Sequence, residues 1–417
     1  MHATADLIRV FGRIGLLSFG GPAAQIALMQ RELVDRLGWL SEAEFLRALS
    51  FCMMLPGPEA MQLATYAGWR QRGVTGGLIA GGLFVLPGAM VIAALALAYG
   101  AWGDMGWMRA LFLGVQATVV VIVVQALIRL ARRALTTPLA RGLALAAFLA
   151  LAVFHLPFPL VIFAAAFLGA ALAPRITTAP APRLPLAPSL RALAIGLPLW
   201  LGPVALLWLA DATFLARVGS FFATLAVVTF GGAYAVLAYM TQTVVGDLGW
   251  LTHAQMLDAL GLAETTPGPL ILVTQFVAML AGQAQGGIPG ALAAGATALW
   301  VTFVPCFIWI FAGAPLIETL ATRPRLQAAL AGISAAVVGV IAALALWFGL
   351  HVLFAEIRPV RFGPALLELP VPATLRPAPL ALAGVAAALL FWRGWDIPAV
   401  LAICAALALG LSRAGLA

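Results

Sequence analysis

Of the 417 residues, 64% are hydrophobic and 9% are charged, with mean hydropathy +1.07. Soluble domains carry about 25% charged residues, so this composition excludes a soluble fold and predicts the bilayer as solvent for an all-α polytopic protein. The net charge of +8 comes entirely from arginines; they sit at the ends of apolar runs and not on a polar module, which argues against nucleic acid and follows the positive-inside pattern.

In chain order, apolar stretches long enough for helices fall at 8–29, 46–69, 74–100, 107–128, 142–155, 158–173, 191–210, 214–240, 256–281, 290–314, 326–350, 379–392 and 397–412. The first carries Arg9 and Arg13 and lacks a small-residue cleavage site after it, which argues against a cleavable signal. The pair 142–155 and 158–173 is short and split by His155-Leu-Pro-Phe-Pro159, and the last pair is split by Arg393-Gly-Trp-Asp396; whether each pair crosses twice stays open. Residues 174–190 hold five prolines and read as a semi-rigid linker. Residues 356–379 hold six and predict an irregular extramembrane loop. Absence of lysine with abundant alanine fits a GC-rich bacterial genome, hence a multi-pass protein of the inner membrane.

An internal repeat organises this pattern. Phe19-Gly20-Gly21 recurs as Phe230-Gly231-Gly232, Gly38-Trp39-Leu40 as Gly249-Trp250-Leu251, and Pro56-Gly57-Pro58 as Pro267-Gly268-Pro269, always 211 residues later. Over 19–58, 18 of 40 positions are identical without a gap. Further on the offset becomes 218, with Pro87 matching Pro305 and Gly114 matching Gly332, which predicts a seven-residue insertion near Gln283–Gly287. The domains are then 1–173 as the first repeat, 174–190 as linker, 191–210 as an extra linking span and 211–417 as the second repeat. Counting spans puts the second copy in the membrane upside down, an inverted-topology repeat. With the amino terminus inside, 14 of 23 arginines fall on inside segments.

Each repeat holds two helix breaks within apolar sequence. One is Ser18-Phe-Gly-Gly-Pro22, copied as Thr229-Phe-Gly-Gly-Ala233, with Ala233 where Pro22 stands in the first; the other is Leu55-Pro-Gly-Pro58, copied as Thr266-Pro-Gly-Pro269. Proline removes an amide donor and glycine permits angles that end a helix. Inside a bilayer such freed backbone is tolerated only in protein interiors or water-lined cavities, and broken helices at matching positions mark a substrate site. The restarted helices offer unpaired amides and the positive end of a dipole, a setting for an anion. A bare kink or close-packing role competes at any one break; four in register favour a site. The expected substrate-binding set is Gly20, Gly21, Pro22, Gln25, Pro56, Gly57, Pro58, Gln62, Gly231, Gly232, Thr266, Pro267, Gly268, Pro269 and Gln275. Glu59 and Glu264 flank the Pro-Gly-Pro breaks and are candidates for a coupling proton, with helix capping as the alternative, favoured for Glu59. Cys52, Cys306 and Cys404 are odd in number and widely spaced, and the four histidines form no ligand motif, so neither a disulfide framework nor a metal site is expected. No flavin, haem or dinucleotide signature is visible, so neither a cofactor nor enzymatic activity is expected.

The motifs Phe19-Gly-Gly-Pro-Ala-Ala-Gln-Ile26, Leu55-Pro-Gly-Pro-Glu-Ala-Met-Gln-Leu-Ala64, Thr229-Phe-Gly-Gly232 and Leu260-Gly-Leu-Ala-Glu-Thr-Thr-Pro-Gly-Pro-Leu-Ile-Leu-Val273 resemble the chromate transporter family in its long, two-domain form. The resemblance covers roughly 8–132 and 214–340. It implies a secondary transporter that exports chromate, or a related tetrahedral oxyanion such as sulfate, and confers chromate resistance. It also implies two halves of opposite orientation and functional sensitivity at the glycines, prolines and glutamates of the breaks. A gated oxyanion channel on the same scaffold is the alternative, and a homodimer is left open.

Overall fold

A computed structural model describes residues 3–19, 21–103, 105–173, 186–228, 230, 233–316 and 324–415. Among the described residues the chain is all-α apart from one small hairpin, with five helices long and apolar enough to cross a membrane. It divides into two compact units, and neither follows a sequence half. Unit 1 takes residues 1–100, 174–233 and 266–326; unit 2 takes 101–173, 234–265 and 327–417.

Unit 1 opens with helix α1 (Thr4–Leu17), a break, and α2 (Gly21–Gln30), which runs into a π-helical turn at Arg31–Arg36. In one straight rod Arg13 and Glu32 would lie roughly 28 Å apart; their side chains meet at 3.9 Å, and Phe11 packs on Trp39 with ring centroids 6.2 Å apart. The chain therefore turns back on itself at the break. The same holds for α3 (Glu42–Cys52) and the next helix, α4 (Glu59–Trp102). Glu44 and Arg70 would stand roughly 39 Å apart on a rod yet form a 2.8 Å ion pair. Both hairpins end near one another, since Gln71 Nε2 donates to the Trp39 carbonyl at 2.9 Å and Arg72 reaches the Thr4 hydroxyl. The runs 8–29 and 46–69, expected as spans, are thus two-legged hairpins. Hydropathy alone cannot separate a span from two short apolar legs of equal total length.

Helix α4 is itself two helices, 59–71 and 74–102, folded together at Arg72–Gly73, where Gly73 adopts φ +60°. Their close approach depends on glycine: a Cβ on Gly68 would lie 2.3 Å from the Gly76 carbonyl oxygen. Further along unit 1, the linking helix α8 (Leu186–Leu209) and α9 (Thr213–Val228) pack on α12 (Val273–Gly313). Helix α12 carries the same turn at Gly286–Gly287 (φ +60°) and the same approach, with Gly282 against Gly290 at 2.3 Å. These pairs stand 214 residues from their first-repeat partners, which revises the expected single insertion. Three of the seven extra residues precede Gly282 and form the 3-10 turn Leu270–Leu272. The other four lie further along α12, because Gly57 faces Cys306 just as Gly88 faces Pro267, and Cys306 stands 218 residues after Gly88. Reciprocal indole bonds, Trp200 Nε1 to the Val301 carbonyl at 2.8 Å and Trp300 Nε1 to that of Leu199 at 3.2 Å, tie α8 to α12.

Unit 2 is built on α5 (Gly106–Ala134). Against it pack α11 (His253–Thr265), α14 (Pro377–Ala387, ending in a π turn to Trp392) and α15 (Ile397–Arg413). Gly114 lets α15 approach, since a Cβ there would lie 2.2 Å from the Cys404 carbonyl oxygen. The remaining elements are α6 (Pro138–Ala152), α7 (Phe158–Ala171), α10 (Ala233–Thr241) and α13 (Pro324–Leu353). Helices α6 and α7 are separate, as are α14 and α15, so each short pair makes two helices. The proline-rich stretch after α13 is not irregular: β1 (Ile357–Phe362) and β2 (Ala365–Pro370) pair antiparallel, with Pro359 opposite Glu368. Prolines fit because both strands of a two-stranded ribbon are edges, and Gly363 at φ +60° before Pro364 makes the tight turn.

Candidate substrate site at the helix breaks

Three of the four breaks are described, and all three lie in unit 1. The first and the last meet directly. The Gly268 amide donates to the Ser18 carbonyl at 2.8 Å. Gln25 Nε2 donates to the Gly268 carbonyl at 2.7 Å and to that of Ser18 at 3.4 Å. The Ser18 hydroxyl turns back to the Ile14 carbonyl at 2.6 Å. The sequence explains the juxtaposition: a break frees backbone groups that are costly in apolar surroundings, and two breaks satisfy one another where a buried glutamine bridges them.

The Pro56-Gly57-Pro58 break is served by its own glutamine. Gln62 Nε2 donates to the Pro56 carbonyl at 2.7 Å, while Gln275 Nε2 donates to the Ala89 carbonyl at 3.1 Å. Glycine is required at both Pro-Gly-Pro turns, with φ +110° at Gly57 and +88° at Gly268, a region β-carbon residues rarely enter. Beyond each turn a helix begins. The amide of Gln62 is the first to bond back, to the Pro58 carbonyl at 3.1 Å, so the amides of residues 59–61 have no acceptor within the helix. Glu59 stands in this first turn, at the positive end of the helix.

The expected set therefore divides. Gly21, Pro22, Gln25, Pro56, Gly57, Pro58, Gln62, Thr266, Pro267, Gly268, Pro269 and Gln275 belong to unit 1, with Gln25, Gln62, Thr266 and Gln275 buried. The glutamine side chains hold backbone carbonyls, which leaves Oε1 of Gln25, Gln62 and Gln275 buried and unpartnered. Gly20, Gly231 and Gly232 lie outside the described residues, as does the Glu264 side chain. Phe230 is described, and its amide donates two residues back to Val228 at 3.1 Å, as that of Phe19 does to Leu17 at 3.0 Å. Sequence reading passed over Cys306, whose sulfur would lie 3.0 Å from a Cβ on Gly57, and Asp258 of unit 2, a buried carboxylate accepting from Gln116 Nε2 at 2.7 Å. An aspartate on an apolar helix was the available signal for the second. Among the described residues, no three His, Cys, Asp or Glu side chains are grouped to hold a metal.

Apolar helices, short helical hairpins and buried break tips define a multi-pass membrane transporter. In bacteria such helical proteins occupy the inner membrane, outer-membrane spans being barrels. The chain belongs to the chromate transporter family: that family's model matches residues 5–170 and again 216–411. It is 34% identical over 342 residues to a chromate transport protein of Pseudomonas aeruginosa, covering 81% of this chain and 79% of that one. It is 31% identical over 346 residues to a probable chromate transport protein of Synechococcus elongatus (82% and 83% covered). A chromate transport protein of Cupriavidus metallidurans is 30% identical over 340 residues (82% and 81%). No solved structure matches the chain. The protein is a transporter, not an enzyme.

Proposed function

We propose that the protein exports chromate, or a related tetrahedral oxyanion such as sulfate, from the cytoplasm by secondary active transport, and thereby confers chromate resistance. The reading rests above all on the contact between Ser18 and Gly268 at two broken helices, beside helix starts whose amides suit an anion. Relatives named as chromate transport proteins support chromate as the substrate.

The hairpins support an inverted orientation. A two-legged hairpin returns to the side it entered, so neither hairpin of the first repeat adds a crossing. In this reading four crossings (74–102, α5, α6, α7) and the linking helix α8 precede the second repeat, which then enters from the opposite side. We take 1–173 and 211–417 as inverted copies, with the second copy's hairpins following the first. Arg31, Arg36 and Arg47 now join the cytoplasmic set, which rises to 17 of 23 arginines. Tips that enter from opposite faces would meet near midplane, where rocking of the repeats could expose a bound anion to each side.

Coupling is assigned to Glu59 and Glu264. A carboxylate at a helix start occupies the place an oxyanion would take. The ionised Glu59 carboxylate and the substrate would therefore compete at one end of α4, and protonation would relieve that competition. Everted vesicles test this: chromate should accumulate inside them when a proton-motive force is imposed. Accumulation equal to that of empty-vector vesicles would overturn the reading, and flux that only dissipates a chromate gradient would favour a gated channel. Glu59→Gln and Glu264→Gln should keep chromate binding while flattening the pH dependence of flux; wild-type pH profiles in both would remove the coupling role.

A further inference from the structure

We propose that unit 2 holds a second ligand site, separate from the breaks, that takes an ammonium group carried on an apolar body. A cavity of about 510 Å³ lies where α6, α7, α10 and α13 end, and all its lining residues belong to unit 2. Two ring stacks contribute to its wall. Phe158 and Tyr239 are nearly parallel, with centroids 5.2 Å apart and planes at 15°. His253 lies 5.8 Å from Trp347, and behind it His351 stacks on His253 at 4.9 Å and 6°.

The β-hairpin adds to the wall. The Leu366 amide donates to the Val153 carbonyl at 2.8 Å, and Glu368 joins Asp247 in the cavity lining. Gln242 Nε2 reaches the His155 carbonyl at 3.5 Å and ties α10 to the α6–α7 turn. The lining thus carries two carboxylates, the imidazoles of His155 and His253, and no arginine.

That composition selects the ligand. Two carboxylates repel a dianion, so this is not a waiting room for the proposed substrate. Aromatic faces attract a cation through their quadrupoles, most strongly when it is partly desolvated, and the carboxylates give it direction. Leu344, Leu350, Phe148 and Val153 offer the remainder of the wall to an apolar chain. One chemistry, ammonium plus chain, has two sources: the headgroup of an aminophospholipid, or a free amphipathic amine.

The test uses full-length protein in neutral detergent at pH 7.5, with octyltrimethylammonium as probe and octyl glucoside as the uncharged control of equal chain. A saturating probe should raise the unfolding midpoint by about 2–4 °C, whereas octyl glucoside should not. Asp247→Asn with Glu368→Gln should weaken probe binding at least tenfold, and Glu368→Lys alone should do so too if the double variant folds poorly. Equal shifts from octyl glucoside would overturn the proposal, as would stabilisation by sulfate that the double variant abolishes. Nanodiscs then distinguish the sources. Preferential retention of phosphatidylethanolamine over phosphatidylglycerol, lost in the double variant, identifies the headgroup; probe binding without that preference identifies a free amine.

Discussion

The two Pro-Gly-Pro turns of unit 1 share a sequence and a backbone, yet their surroundings differ. At Gly57 the nearest obstacles are side-chain atoms, Cys306 Sγ and Gln62 Nε2, each 3.0 Å from where a Cβ would stand. At the other turn a Cβ on Gly268 would also meet a side chain, Leu272 Cδ1 at 2.9 Å, but main chain closes in as well: a Cβ on Gly88 would lie 2.3 Å from the Pro267 carbonyl oxygen, and Gly268 bonds Ser18. The first turn leads into Glu59, the second into Leu270-Ile-Leu. A duplicated frame has thus been specialised, one turn clamped by main chain and the other cushioned by side chains with a carboxylate beside it.

Exchanging the residues that face the turns should break this comparison most severely. Gly88→Cys places the first turn's neighbour against the Pro267 carbonyl, where overpacking costs about 1–3 kcal/mol; chromate flux should fall at least tenfold. The reverse loss, Cys306→Ala, removes one buried sulfur and should cost about 1 kcal/mol with flux retained. Comparable flux from both variants would show that the two turns are equally constrained. Gln25→Leu comes next. It strips the donor from the Gly268 carbonyl and a second, longer bond from that of Ser18, which keeps the Gly268 amide, and orphaning a buried acceptor costs about 1–3 kcal/mol. Thermal unfolding should register that loss, and Gln62→Leu, with one carbonyl at stake, should lose less.

Much of this was legible in the sequence because helix breakers and a fixed offset are local signals. Phe19-Gly-Gly and Pro56-Gly-Pro fixed where helices end, and Gln25, Gln62 and Gln275 stood out as polar groups in apolar runs. What was not legible is tertiary. Nothing in residues 8–29 says that Arg13 will meet Glu32 in place of continuing across the bilayer, since a hairpin and a rod share one hydropathy profile. The proline count of 356–379 pointed away from strands because the rule against proline assumes a central strand, while this ribbon has only edges. Cys306 drew no attention as a lone cysteine; its significance lies in what it faces, on a helix nearly 250 residues away.

The smallest expected effect contrasts the repeats at their polar turns. Ser41 and Glu44 form a capping box at the start of α3, with the Glu44 amide donating to the Ser41 hydroxyl at 3.3 Å and the Ser41 amide to Glu44 Oε2 at 3.1 Å. The copy at α11 uses neutral groups: the Gln255 amide donates to Thr252 Oγ1 at 3.2 Å and the Thr252 amide to Gln255 Oε1 at 2.9 Å. Removing either hydroxyl should cost about 1 kcal/mol. Acid should separate them. The Ser41 amide above all, then the Arg70 guanidinium and the Ser41 hydroxyl, hold the Glu44 carboxyl below its ordinary range. A depressed carboxylate adds stability above its unfolded value and loses it as pH falls through the folded one. The group is solvated, so the loss is modest. Gln255 has no such titration. Amide exchange, corrected for its intrinsic pH dependence, should show the first turn of α3 fraying between pH 7 and pH 3 while that of α11 holds. Equal loss of protection at both turns would trace the effect to unfolding of the whole protein and leave Glu44 without a local part in it.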